Sequence, residues 1–179
     1  MRVLERRLDN GKNIRFLKNE FLTLSLFGAL GRSKTYRETV SEKKRADFRS
    51  ALRKKLENIA SRYGQRVDDA THLDNLCEIA DDMTLRFSDL LKNGLFRIGI
   101  AQKCLNLYLK YLWCAGKIPE PPHCPFDSVV IAHLPRKLRL NWTEIGTIQE
   151  YEQLVNAART VAGNKSLAEW ELSAWAPRT

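Results

Sequence analysis

The sequence has no apolar run long enough to span a bilayer. The nearest approach, Phe16 to Leu30, is interrupted by Lys18, Asn19 and Glu20, which favours a buried helix over a signal or membrane segment. There is no useful strand-type alternation, no internal repeat and no low-complexity tract, so sheet-based and solenoid architectures are set aside. P-loop, G-x-S-x-G and H-E-x-x-H motifs are all absent, which removes the usual signatures of nucleotide hydrolysis, serine hydrolysis and zinc proteolysis. Histidine is scarce: His72, His123 and His133 are too scattered for a histidine-based site.

Cysteine is also sparse. Cys77 and Cys104 lie in apolar helical surroundings, where a free thiol behaves as a small hydrophobe. Without a disulfide framework the expected compartment is the reducing cytoplasm. Cys114, His123 and Cys124 lack a fourth ligand and a paired C-x-x-C, so no metal is assigned, and no cofactor motif is present.

Positive charge, in contrast, is plentiful. The chain of 179 residues has a formal net charge of +9. Such an excess favours a polyanionic partner, with duplex DNA the leading candidate and no membrane partner expected. The length fits one domain able to bury a real core.

Helical signals punctuate the chain. Residues 1–12 form a polar extension whose "DNG" reads as a turn, and a first helix is expected from Ile14 to Leu30, stopped by Gly31. Ser41 then caps a helix with Phe48, Leu52, Leu56, Ile59 and Tyr63 on one face and a row of lysines and arginines on the other. A third helix begins near Asp69 or Thr71. A short fourth, "TLRFSDLLKNG", ends at Gly94, and a long apolar helix follows from Ile100 to Ala115. The loop "KIPEPPHCP" contains four prolines and should be stiff. Asp127 or Ser128 caps the short helix "SVVIAHL". Two amphipathic helices complete an all-α, single-domain fold, the last with Ser166 and Glu169 in capping-box spacing. Glu78, Asp81 and Asp82 read as a solvated helix face.

Within the apolar helix, Lys103, Asn106 and Lys110 fall on one narrow stripe. Such residues either snorkel to solvent or line a cleft. A half-buried amine near a helix start is a candidate nucleophile at neutral pH.

The order of residues here resembles the helix-hairpin-helix DNA glycosylases, a family that includes the 8-oxoguanine glycosylase/AP-lyases. Gly99-Ile100-Ala101-Gln102-Lys103 stands where that family has its hairpin turn and lysine, and Pro125-Phe126-Asp127 where it has its aspartate segment. The match covers residues 84–134, with a helix-hairpin-helix-like element near residues 84–115. Ala101 replaces the second glycine of the turn.

The resemblance implies base flipping from duplex DNA, attack by Lys103 on the sugar C1′ to form a Schiff base, and Asp127 stabilising positive charge on the sugar. It also implies nucleic-acid contacts from Arg97, Gly99, Ile100, Ala101, Asn106, Arg136, Lys137 and Arg139. Trp113, His123, Phe126 and Trp142 are its candidates for stacking on the extruded base. Two alternatives stand beside it. One is a helical nucleic-acid-binding module without chemistry. The other is a helical interaction subunit of a phage or defence system, anchored through Trp170 and Trp175.

Overall fold

A computed structural model describes the backbone of residues 2–175 and the side chains of residues 11–174. Seven α-helices follow in order: α1 (Arg2–Leu30), α2 (Glu42–Ala60), α3 (Asp69–Phe87), α4 (Ile98–Cys114), α5 (Ser128–Ile131), α6 (Ile148–Ala162) and α7 (Leu167–Trp175). No strand occurs among the described residues. The nearest thing is an isolated antiparallel bridge between Tyr36 and Leu91. No helix among them is long and apolar enough to cross a membrane.

The all-apolar helix of the sequence takes the place its composition demands. α4 runs through the middle, packed by α1 along its length and by α2, α3 and α6 around it. Gly28 allows the α1 crossing, because a Cβ there would sit 3.0 Å from Leu107. The stripe Phe48, Leu52, Leu56 and Ile59 of α2, continued by Tyr63 in the 3-10 turn Ser61–Gly64, is inside the core, as its spacing predicts.

Several caps are read correctly from sequence. Ser41 accepts from the Lys44 backbone, and Asp127 caps α5. The Glu169 N–H donates to Ser166 Oγ ahead of α7. Gly116 terminates α4 with φ +65°. Of the acidic cluster, Glu78 pairs with Lys55 and Arg62, and Asp82 with Arg86.

Two expectations are corrected. α1 does not begin at Ile14: helix continues through "DNG" from Arg2. An exposed glycine inside a helix costs only about 1 kcal/mol, which a long helix absorbs when no proline intervenes.

The second correction bears on function. The expected separate helix over residues 84–94 does not form: its first residues belong to α3 and the rest leave the helix. α3 continues to Phe87, and the chain then pairs with the segment after α1: Arg37 N–H donates to Leu90 O at 3.0 Å and Lys92 N–H to Thr35 O at 2.9 Å. Asn93 and Gly94 follow with φ of +58° and +70°, a left-handed pair that ends any helix. The Asn-Gly dipeptide was a turn signal. Residues 88–97 therefore connect α3 to α4 without a helix-hairpin-helix turn, and Gly99 to Ala101 lie inside α4.

Candidate functional site

Lys103 and Asp127 meet. Lys103 lies one turn into α4, and Asp127 follows the proline-rich loop at the start of α5. Lys103 Nζ donates to Asp127 Oδ2 at 2.7 Å, while Asp127 Oδ1 accepts from the backbone N–H groups of Val129 (2.9 Å) and Val130 (3.1 Å). One carboxylate thus caps a helix and neutralises an amine at the same time. Lys103 and Asp127 are 5% and 6% exposed, whereas their neighbours Gln102 and Asn106 are at 0%. The pair therefore sits at the outer edge of a buried polar layer, just beneath the exposed residues Ser128 and Val129.

The stripe predicted on α4 is a spine in which each polar side chain has an internal partner. Gln102 donates to Gly99 O (3.0 Å) and Phe126 O (2.8 Å) and accepts from Phe126 N–H (3.1 Å), which fixes the aspartate segment against the helix. Asn106 Nδ2 donates to Cys124 O (2.9 Å) and Tyr151 Oη (3.0 Å). Lys110 is ion-paired with Glu171 of α7 at 2.6 Å, with Glu171 at 1% exposure. Both lysines of this helix are ion-paired with buried carboxylates.

Behind Asn106 lies a histidine pair. His123 Nδ1 is 2.8 Å from Tyr151 Oη. Its ring stands 4.5 Å from that of His72, whose Nδ1 is 2.7 Å from Tyr63 Oη. Asn75 donates to the same Tyr63 hydroxyl at 3.1 Å. His123 Nε2 lies 3.3 Å from Asp69 Oδ1, off-line for a hydrogen bond. Burial is the main cause that drives the His123 pKa down to about 3, helped by the Arg159 charge. Burial also pushes His72 well down, with His123 adding to the shift and the Asp69 carboxylate opposing it. Both rings are neutral at pH 7.

Their unfolded values lie near 6.5, so the unfolded chain binds protons first as the pH falls. The histidines' stabilisation is thus complete above pH 6.5 and declines as the pH falls below it, for His123 towards about pH 3. Urea unfolding at pH 7 and pH 5 should differ by up to about 2 kcal/mol per histidine. Phenylalanine at His72 and leucine at His123 should flatten the profile. A flat wild-type profile over that interval counts against neutral burial.

The remaining sequence-predicted residues divide sharply. The α4 N-terminus is closed by the segment before α6. Gly99 N–H donates to Ile145 O at 3.0 Å, and Ile100 and Ala101 N–H donate to Arg97 O at 3.0 and 3.1 Å. A Cβ on Gly99 would fall 1.8 Å from Trp142 O. Gly99, Ile100 and Ala101 are therefore not placed to grip a phosphate here; the glycine serves a close backbone crossing. Arg97 is buried at 6%, pairing with Glu144 at 3.1 Å and donating to Lys34 O. Asn106 faces inward, as described.

The stacking candidates His123, Phe126 and Trp142 are core residues, and Trp113 is half-buried. Arg136, Lys137 and Arg139 alone are exposed as expected, in the turn after α5. Trp170 is buried at 9%, and the Trp175 side chain lies outside the described residues.

Sequence reasoning missed Gln102, Tyr151, His72 and Glu171. Gln102 and Asn106 have i, i+4 spacing on an otherwise apolar helix, a signal for a buried polar seam. Tyr151, His72 and Glu171 come from distant helices and carry no local signal. No protein-family model matches the chain, nor does any curated protein or solved structure.

Proposed function

We propose that the chain is a nucleic-acid-binding helical protein in which Lys103 and Asp127 form a structural pin. Unpaired positive charge on exposed segments carries this reading. Arg136, Lys137 and Arg139 protrude from one turn after α5 and form no ion pair with a described residue. The strap from that turn to Ile145 packs onto the start of α4, so the basic turn belongs to the same end of the molecule as the pin. Closely spaced lysines and arginines free of carboxylates fit a phosphate backbone, and binding of this kind weakens steeply with salt.

A second reading is favoured by the 2.7 Å contact itself: a glycosylase/AP lyase centred on the same pair. Asp127 would take the Lys103 proton. The free amine would attack C1′ and expel the base with its bonding electrons, and the secondary amine would open the sugar to a Schiff base. That chemistry needs Lys103 to reach the surface and a phosphate seat other than the α4 N-terminus.

One set of measurements separates the two. Fluorescence anisotropy with a duplex should show binding that falls with salt. Replacing Arg136, Lys137 and Arg139 together by alanine should reduce the slope of log K against log salt by about 2–3. Replacing Lys103 by methionine and Asp127 by asparagine together should leave binding nearly unchanged. A set of lesion-bearing duplexes treated with borohydride should give no covalent adduct. An adduct abolished by Lys103→Gln establishes the second reading, and salt-independent or absent binding removes the first.

A further inference from the structure

Among the described residues, α1 carries a conspicuous apolar face that the fold leaves uncovered. Phe16 is 63% exposed, Leu17 41%, Leu24 49% and Phe27 77%. At 100° per residue these four fall within a sector of about 100° that also holds the half-buried Glu20, so they form one stripe flanking that carboxylate. The opposite face, with Leu22, Leu26 and Ala29, packs into the core. An exposed apolar stripe of this extent marks an interaction surface.

The stripe borders a groove of about 630 Å³ between α1 and α2, walled by Leu26, Phe27 and Leu30 on one side. The other side carries Arg45, Arg49 and Arg53, which stand at i, i+4 and i+8 on a single face of α2. Arg53 is held over α1 by Asn19 and Thr23, each at 2.8 Å. Arg45 stacks 5.2 Å from the Tyr36 ring centroid, and its Nε has no hydrogen-bond partner among the described residues. Glu42 pairs with Arg49. A second cleft sharing Leu30, Tyr36 and Arg45 is bordered by Lys34, Arg37 and Lys92, with Glu38 as its one carboxylate.

We propose that this surface receives an acidic amphipathic helix of another protein, with its apolar side on Phe16, Leu17, Leu24 and Phe27 and its carboxylates along the arginine row. The mode is helix-in-groove recognition. Charge complementarity selects the occupant. A second copy of this chain would bring its own arginine row against this one, with Lys12, Arg15 and Lys18 of α1 adding to the repulsion. A nucleic-acid strand would satisfy the arginines and leave the apolar stripe wet. The proposal is independent of the nucleic-acid reading above. It places the docking surface on α1 and α2, away from the buried Trp170.

The test uses a fluorescein-labelled synthetic helix with leucines at i, i+3, i+7 and i+10 and glutamates on one flank at four-residue spacing. Wild-type protein should bind it. Phe27→Ser and Leu24→Ser, both at exposed positions, should each weaken binding about tenfold or more without altering the far-UV spectrum. Arg45→Glu with Arg49→Glu should lose the glutamate peptide and gain its lysine counterpart. Four results overturn the proposal: no binding at low salt; a scrambled peptide of equal charge binding as well; an insensitive Phe27→Ser variant; or sedimentation showing wild-type self-association that Phe27→Ser abolishes. Tighter, Phe27-dependent binding of single-stranded oligonucleotide or of anionic phosphatidylserine vesicles also overturns it, in favour of those ligands.

Discussion

Asp127→Ala is expected to destabilise the protein by about 3–5 kcal/mol, and Lys103→Met by a comparable amount. The alanine variant leaves the Lys103 ammonium at 5% exposure without a counter-ion and removes the acceptor from Val129 and Val130 N–H. Loss of the cap alone accounts for about 1 kcal/mol; the larger part is the uncompensated buried charge. Replacing both partners tells the two apart. In the variant carrying Lys103→Met and Asp127→Asn, asparagine still caps α5 and methionine fills the lysine's space without a charge. That protein should lie within about 1 kcal/mol of wild type, because a buried ion pair gains little over a well-packed neutral pair. Chemical denaturation of the two single variants and the double variant supplies the cycle. Singles that cost no more than the double would mean that the two charges are solvated, and that the pin is open to a ligand after all.

Gly99→Ala should be almost as damaging, by about 1–3 kcal/mol or more, for a purely steric reason. The added methyl meets the Trp142 carbonyl at 1.8 Å and the Ile145 side chain at 3.0 Å. The obstacle is backbone, so it cannot rotate away. The strap from Trp142 to Ile145 must lift, which breaks the Gly99–Ile145 hydrogen bond and exposes Trp142, now 5% accessible. The readouts are a red-shifted tryptophan emission and faster amide exchange at Gly99 with no change in α6. An unchanged melting temperature would show that the strap is not seated as described. The variant also bears on function, since lifting the strap frees the Gly99 N–H at the start of α4.

Much of the architecture is legible locally. The apolar periodicity of α2, the caps Ser41, Asp127 and Ser166 and the stop at Gly116 act within one or two turns of their own positions, so sequence spacing reveals them. The pairing of Lys103 with Asp127 is also foreshadowed, by a lysine on an apolar helix and a stiff loop leading to one carboxylate. Residues 84–94 show where such reading fails. "TLRFSDLLKNG" has helical composition, yet Leu90 and Leu91 bond to a segment more than fifty residues earlier, and that partner is invisible to a local window. The same holds for Gly99, whose sequence context suggests a phosphate turn while a carbonyl from Trp142 occupies the space.

The sequence alone therefore determined the class of fold, the central place of the apolar helix and its polar stripe, because helical periodicity and hydrophobic burial depend on residues a few positions apart. Only tertiary structure decided what that stripe touches, that the start of α4 is closed, and that an uncovered apolar face lies on α1 while Trp170 is buried. Those outcomes depend on which distant segments come to occupy the same volume.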